Sequence, residues 1–188
     1  MVCDLDEFIY SRTPFCTISS YLDSLPISTS QVLIQWKLFG SSGNKRQPAS
    51  IINGFRKRAL YNTRKNGMLD DKIGAVKSIV RSTQLKRFAI HQHPIAEGDT
   101  ITSDNSKCIE CQNGFQPTSE AILADSYLHL NHYAIQAYEW FMEVKCTRGD
   151  VSNQANNTVR NESYFKSYDY FDIDDNELAE KRGFIYGA

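Results

Sequence analysis

The sequence lacks a strong net charge, because 21 basic residues oppose 22 acidic ones and leave a charge of −1. A chain without a global excess of one sign gives no electrostatic reason to expect a nucleic-acid partner. It also lacks any run near the roughly 18 apolar residues that a membrane-spanning helix needs, so we expect no membrane span. The 188 residues, 41% of them hydrophobic, suffice for one globular domain with a buried core.

The five cysteines are an odd number and do not indicate a disulfide framework. Cys108 and Cys111 form a Cys-x-x-Cys motif in a polar loop, which is half of a typical zinc site. No second pair exists in the sequence, so Cys146 or His91 would have to complete such a site through the fold. The pattern therefore favours a loop over a zinc centre.

Several segments have the spacing and the boundary residues of helices or strands. Thr17 is a suitable N-cap for a helix over 18–25, and the β-rich run 31–39 predicts a central strand. The remaining expected elements are a short basic helix, two further strands and a final helix, at 50–61, 74–80, 88–93 and 176–182. These segments include both expected helices and expected strands.

The first ten residues place a dense acidic group between apolar flanks. On an extended backbone Asp4 and Asp6 would share one face, about 7 Å apart at their Cα atoms. Two carboxylates this close repel each other unless a cation or a proton intervenes, and hard oxygen ligands suit Mg²⁺ or Mn²⁺. A solvated acidic turn is the simpler alternative for an isolated Asp-x-Asp.

Residues 131–146 have the clearest helical period in the chain, and their apolar stripe comprises Tyr133, Ala137, Trp140, Phe141 and Val144. We expect Asn131 to cap this helix and His132 to lie in its first turn. Glu139 would then lie on the same polar face, about 10 Å further along the axis. That distance is too long for binding one ion together but short enough for lining one cleft.

Six phrases occur in a fixed order: Cys-Asp-Leu-Asp-Glu-Phe-Ile (3–9), Trp-Lys-Leu-Phe-Gly-Ser-Ser-Gly (36–43), Lys-Ser-Ile-Val-Arg (77–81), His-Gln-His-Pro (91–94), Asn-His-Tyr (131–133) with Glu-Trp-Phe (139–141), and Lys-Cys-Thr-Arg-Gly-Asp (145–150). This order resembles the metal-dependent GT-A glycosyltransferases of the family 2-like and family 92 type, over 2–182. The resemblance implies an α/β fold, namely one partial GT-A domain in which helices flank a mixed sheet, followed by a C-terminal tail at 183–188.

The resemblance also implies an activity, namely transfer of a sugar from a nucleotide-sugar donor to the hydroxyl of a carbohydrate or glycoconjugate acceptor, with Mn²⁺ or Mg²⁺. It favours inversion at the sugar carbon, and retention stays open. By motif, Asp4 would face the donor ribose and the metal, and Asp6 would be the principal metal ligand. His132 would complete the metal site. Lys77 and Arg81 are the candidates for steadying the donor diphosphate or a charged acceptor.

The acceptor side and the catalytic base are less clearly marked. Trp36 could stack on a sugar face, and the Gly40–Ser41 turn would allow close approach to a ligand, although a core tryptophan is an equal alternative. Inversion requires a base for the acceptor proton, for which Glu139 is the first candidate and Asp150 the second. Exposed helix glutamates are ordinary, so this assignment rests on the shared face with His132 alone.

Only three residues precede Asp4, whereas the resemblance places a nucleobase-binding segment before this motif. The chain is therefore expected to correspond to the C-terminal half to two-thirds of such a domain, and the donor base and acceptor stay open. A cytoplasmic location is expected for a complete chain, and a membrane-associated or Golgi-type location if an upstream segment carries an anchor.

Two alternatives belong to other functional classes. One is a non-catalytic remnant that serves as a binding or structural module. The other is a haloacid-dehalogenase-type phosphatase, in which Asp4 would attack phosphorus and Asp6 would handle the proton. That alternative needs a downstream acidic pair, for which Asp174 and Asp175 are the candidates.

Overall fold

The computed structural model describes residues 1–61, 73–108, 114–148 and 160–186. These residues form a mixed α/β fold in which a mixed sheet is flanked by helices. The chain divides into two compact units. The first contains Met1–Lys37 and Leu60–Asn131, and the second contains Leu38–Ala59 and His132–Ala188.

The strands are β1 (Glu7–Ser11), β2 (Thr29–Leu38), β3 (Lys57–Arg58), β4 (Ile73–Val80), β5 (Asp99–Thr102), β6 (Phe115–Pro117), β7 (Leu128–His132) and β8 (Ile173–Asp174). The helices are α1 (Ile18–Asp23), α2 (Ile51–Gly54), α3 (Glu120–Asp125), α4 (Tyr138–Trp140), α5 (Glu162–Tyr168) and α6 (Glu177–Tyr186). A π-helical turn, Phe141–Lys145, continues directly from α4. Among the described helices, none combines the length and the apolar character that crossing a membrane requires.

Strand β2 is the centre of the six-stranded sheet, as its β-rich sequence predicts. The strand order is β1-β7-β2-β4-β6, and β5 also pairs with β2. The pairing of β2 with β4 is antiparallel and its pairing with β5 is parallel, so the sheet is mixed. The predicted strand at 74–80 is confirmed as β4.

The two faces of β2 carry different kinds of side chain. Val32 and Ile34 point to one face, where they join the main apolar cluster with Tyr21 of α1. The opposite face carries the polar residues Gln31 and Gln35 as well as apolar ones. One face of the sheet therefore holds the core of the first unit, and the other buries a set of polar side chains.

Helix α1 is fixed at its start by a capping box, which confirms the predicted N-cap. The Thr17 hydroxyl accepts from the Ser20 backbone N–H at 3.0 Å, and the Ser20 hydroxyl accepts from the Thr17 N–H at 3.2 Å. These bonds satisfy two backbone donors that a helix start would otherwise leave unpaired. They place Tyr21 on the face that packs against β2.

The second unit has its own small sheet and its own apolar cluster. Strand β3 pairs antiparallel with β8, and the buried side chains Ile135, Phe141 and Phe165 pack together. The predicted final helix is present as α6, which begins one residue later than expected and extends to Tyr186.

The helix predicted over 131–146 is wrong in its first half. Residues 128–132 form strand β7, and the helix begins only at Tyr138. Gln136 has a φ of 53°, which a helix interior does not accommodate for a side chain of this kind. The apolar residues Tyr133, Ile135 and Ala137 are nevertheless buried, because they are packed by an irregular segment rather than by a helix face.

Two other predicted elements also differ from the structure. The helix expected over 50–61 ends after one turn, because Phe55 has an extended backbone (φ −113°, ψ 105°) and β3 follows it. The strand expected over 88–93 is absent from that described segment, in which Phe88 and Ile90 are exposed and His93 is buried. The apolar residues of this segment therefore do not lie on one buried face.

Candidate functional site

The acidic residues at the start of the chain form a turn that precedes β1. The Glu7 N–H donates to the Asp4 carbonyl at 3.1 Å, and the Asp4 N–H donates to Glu7 Oε2 at 2.9 Å. Leu5, at the tip, is fully exposed, whereas Asp6 is buried. The expected extended arrangement, with Asp4 and Asp6 on one face, is therefore wrong. Residues 4–7 are named the acidic turn below.

Lys77 of β4 holds the acidic turn from inside the first unit. Its fully buried ammonium group lies 3.0 Å from Asp4 Oδ2 and 3.3 Å from Glu7 Oε2. Lys77 is the register partner of Ile34, so its side chain leaves the sheet on the same face as the apolar cluster. The Asp4 carboxylate at the other end of this contact is 59% exposed, and the acidic turn therefore presents Asp4 to solvent on a buried support.

Burial is the main influence on the pKa values of Glu7 and of the neighbouring Cys3. Burial raises the pKa of Glu7, and the neighbouring Asp4 N–H and the Lys77 charge only partly oppose this. Partial burial and the charge of Glu7 also raise the pKa of the Cys3 thiol to about 11, so the thiol stays protonated at neutral pH. Glu7 Oε1 is buried and has no hydrogen-bond partner in the described part of the chain.

His91 is the imidazole whose charge responds to the acidic turn in this unit. Its Nδ1 lies 3.0 Å from the Val76 carbonyl, which can only accept, so Nδ1 carries the proton and Nε2 carries the lone pair. Burial lowers the pKa of His91 and the charge of Lys77 adds to this effect, whereas the bond to the Val76 carbonyl and the charge of Asp4 oppose it. The ring packs edge-on against Trp36 at 5.4 Å. His91 is therefore neutral and oriented.

A group of hydrogen-bonded side chains lies on the face of the same sheet opposite to Lys77. Lys37 Nζ donates to the Tyr10 hydroxyl at 2.9 Å, and this hydroxyl lies 3.2 Å from His129 Nδ1. His129 Nε2 lies 2.7 Å from the Leu123 carbonyl, so Nε2 carries the proton and Tyr10 donates to Nδ1. All three side chains are buried. Sequence reasoning missed this group, although a single lysine inside the run Val-Leu-Ile-Gln-Trp-Lys-Leu-Phe is an available signal.

Of the residues expected to bind the donor, Asp4 and Lys77 lie together, but Arg81 has a different contact. Arg81 Nε donates to the Thr29 carbonyl at 2.6 Å, which fixes it at the start of β2. Trp36, expected to stack on a sugar, is half-buried and packs against the main apolar cluster. Both side chains have structural contacts that account for their positions.

Gly40 and Ser41 form a tight connection in the second unit. A Cβ at Gly40 would lie 2.3 Å from the Tyr170 carbonyl oxygen, so the glycine is needed for close backbone packing. The Ser41 N–H donates to Asp169 Oδ1 at 2.7 Å, and its hydroxyl accepts from Gly43 N–H at 3.1 Å. The glycine-rich turn thus packs against its own chain.

The remaining predicted site residues belong to the second unit or lie outside the described residues. His132 is the last residue of β7, and its carbonyl accepts from the Phe39 N–H at 3.0 Å. Glu139 is in α4, half-exposed, and forms an ion pair of 3.7 Å with Arg46. Asp150 lies outside the described residues. His132 is thus not a first-turn helix residue, which was the basis for its expected face.

No three His, Cys, Asp or Glu side chains converge to hold a metal ion within the described ranges. Cys108 is disulfide-bonded, so its sulfur cannot serve as the zinc thiolate of the Cys-x-x-Cys alternative; Cys111 lies outside the described residues. Asp174 and Asp175, required by the phosphatase alternative, form ion pairs of 2.6 Å with Lys57 and 2.7 Å with Arg58. Both acids are therefore engaged by β3.

No family model, curated protein or solved structure matches this chain. The functional interpretation consequently depends on the residues of the chain itself. Within the first unit these are the acidic turn, Lys77 beneath it, and the neutral imidazole of His91.

Proposed function

We propose that this chain is a GT-A-type glycosyltransferase that moves a sugar from a nucleotide-sugar donor to an acceptor hydroxyl on a carbohydrate or glycoconjugate. The observation that carries the proposal is the acidic turn, in which a fully buried lysine holds an exposed aspartate at the start of a central sheet. The order of the six sequence phrases supports the same conclusion, and the mixed sheet flanked by helices is compatible with it.

A divalent cation, Mn²⁺ or Mg²⁺, fits the chemistry of the acidic turn. Such ions are commonly held by one or two carboxylates together with phosphate oxygens of the substrate, rather than by a cage of protein ligands. Asp4, which is exposed, would supply one carboxylate, and Asp6, which is buried, stays a predicted second ligand. When bound, the ion would neutralise the diphosphate leaving group. His132, as a third ligand, stays a prediction.

The burial of Lys77 supports a role different from direct binding of the donor. Its side chain is fully buried, so it acts on the donor through the position of Asp4. His91, neutral and held through Nδ1, offers a lone pair on Nε2 and is a further candidate for accepting the acceptor proton. Glu139 and Asp150 stay candidates for the same role from the second unit.

The proposal is tested by measuring release of nucleoside diphosphate from UDP-, GDP- and dTDP-sugars with Mn²⁺ and an acceptor mixture. We expect release by the wild-type chain with at least one donor. Asp4→Asn and Asp6→Asn should each reduce it by about 100-fold, because each removes a charge from the cation site. Asp125→Asn, on the exposed end of α3, is the matched control and should leave the rate unchanged.

Other results would identify one of the alternatives. Mg²⁺-dependent cleavage of p-nitrophenyl phosphate, without release of nucleoside diphosphate, would favour the phosphatase. No release from any donor, together with no thermal shift on adding Mn²⁺ and nucleotide sugars, would favour a non-catalytic module. Equal rates for wild type and both aspartate variants would reject the acidic turn as the site.

A further inference from the structure

Three rings form a row across β2, β4 and β6 in the first unit. Phe115 of β6 is the register partner of Ala75, and the register of β2 with β4, continued by one residue, places Trp36 on the other side of Ala75. Trp36 and Phe115 therefore flank this small side chain on one face of the sheet. The centroid of the His91 ring lies 5.4 Å from that of Trp36 and 6.4 Å from that of Phe115. Because β6 is the last strand in the order, Phe115 is the outer end of the row.

Phe115 is the exposed member of this row. Trp36 and His91 are half-buried, whereas 47% of Phe115 is exposed. A Cβ at Gly114 would lie 2.4 Å from the His91 Cβ, so the backbone directly before Phe115 packs on His91 and needs a glycine there. The exposed ring is thus held in a fixed place beside the imidazole.

The polar groups beside Phe115 indicate what its ring could bind, since a single exposed aromatic ring is ordinary on a protein surface. Gln92 Oε1 accepts from the Gly114 N–H at 3.3 Å, which fixes the orientation of the amide. The Gln92 Nε2 is left as a donor, without a partner among the described residues. His91 is bonded through Nδ1 to the Val76 carbonyl, so its Nε2 is left as an acceptor. One donor and one acceptor therefore accompany a flat apolar surface.

We propose that Phe115 binds the acceptor of the proposed transferase by stacking against the C–H face of a pyranose ring, with the Gln92 amide donating to one of its hydroxyls. A pyranose combines an apolar face with a rim of hydroxyls that both donate and accept, which matches the ring, the amide and the imidazole. The inference rests on the proposed function, because that function supplies the sugar acceptor. It makes Phe115 a determinant of acceptor specificity.

The stacking surface lies on the same face of the sheet as the support of the acidic turn. Lys77 is two residues after Ala75 on β4, so the two side chains leave the strand on one face, and Phe115 shares it as the partner of Ala75. The charges of Lys77 and Asp4 both act on the pKa of His91, which shows that the imidazole is within electrostatic reach of the acidic turn. An acceptor on Phe115 would therefore lie on the side of the sheet where Asp4 would face the donor.

The test is saturation-transfer NMR of the full chain with the methyl glycosides of D-galactose, D-glucose, D-mannose and N-acetyl-D-glucosamine, without donor or metal. We expect at least one glycoside to give a saturable signal that is stronger for the C–H protons of one ring face than for those of the other. D-sorbitol, which has the hydroxyls but no ring, should give none. Phe115→Ala should weaken glycoside binding by about tenfold, whereas Phe115→Tyr should keep it because the flat ring stays.

Two further variants separate loss of this site from general damage. Gln92→Glu keeps an oxygen that accepts from the Gly114 N–H and replaces the donor by a second acceptor, so it should weaken binding by about tenfold. Phe171→Ala is the matched control, because it removes a ring of similar exposure, 48%, from the second unit. It should change neither glycoside binding nor transfer.

The outcomes distinguish this inference from the proposed function. In the transfer assay, Phe115→Ala should raise the KM for the acceptor by about tenfold and leave kcat little changed. If nucleoside diphosphate is released but Phe115→Ala keeps the KM and the glycoside binding of wild type, the stacking surface is rejected and the transferase stands. If glycosides bind through Phe115 but no donor is cleaved, the sugar-binding surface stands and the transferase is rejected. The inference is also overturned if no glycoside binds saturably, or if D-sorbitol binds equally well.

Discussion

Replacing Lys77 with methionine tests the buried support of the acidic turn most directly. The Lys77 ammonium and the Glu7 carboxylate are both fully buried, 3.3 Å apart. Removing one partner of a buried ion pair costs about 3–5 kcal/mol, because the other charge is left without compensation. The contact with the exposed Asp4 adds little, since water screens it. For a chain of this size we expect the melting temperature to fall by about 6–20 °C.

The destabilisation should depend on pH in a definite direction. Burial already raises the pKa of Glu7 above its ordinary value of 4.5, and loss of the Lys77 charge should raise it further. A carboxyl with a raised pKa in the folded state contributes stability that is fully present below its unfolded pKa and is lost as pH rises through its folded pKa. The cost of Lys77→Met should therefore be smaller at pH 5.5 than at pH 7.5, by about 1–3 kcal/mol.

Urea denaturation followed by tryptophan fluorescence at both pH values measures this cost. Lys166→Met is the matched control, because Lys166 forms an exposed ion pair of 3.0 Å with Glu162 and should change stability by less than about 0.5 kcal/mol. The double variant Lys77→Met/Glu7→Leu should recover most of the loss, since no buried charge then remains. A cost below about 1 kcal/mol for Lys77→Met, or one independent of pH, would refute the buried-pair reasoning.

Other sites give simpler expectations. Gly40→Ala should lower the free energy of unfolding by about 1–3 kcal/mol, because its methyl group would meet the Tyr170 carbonyl oxygen at 2.3 Å; unchanged urea stability would contradict the close contact. Thr17→Ala should cost about 1 kcal/mol through loss of the bond to the Ser20 N–H, measured in the same way. Because the pKa of His91 is lowered in the folded state, its contribution to the free energy of unfolding is present above pH 6.5 and is lost as pH falls through the folded pKa. His91→Asn should therefore make the free energy of unfolding depend less on pH between pH 7 and pH 5.

Local sequence signals predicted the elements whose formation depends on nearby residues. The central strand follows from a β-rich run, and α1 follows from the Thr17 cap and the apolar residues after it. The predictions at 131–146 and 88–93 were wrong because the spacing of apolar residues does not determine the backbone conformation of the segment that carries them. The positive φ of Gln136, which interrupts the expected helix, has no marker in the spacing.

The acidic turn was found from the sequence, but its support was not. Asp4, Asp6 and Glu7 are adjacent in the chain, so their density is visible directly. The ion pairs with Lys77 join residues 73 and 70 positions apart, and only the pairing of β2 with β4 places that lysine on the core face.

The bonds among Lys37, Tyr10 and His129 join side chains from β2, β1 and β7, which are neighbours in the order β1-β7-β2. Each bond has a fixed direction, since the Leu123 carbonyl can only accept a hydrogen bond. A slip of one residue in any of these strands would turn its polar group toward the aliphatic side of the sheet. These three hydrogen-bonded side chains therefore favour one register of the three strands. They disfavour competing registers that hydrophobic matching alone would leave nearly equal in energy.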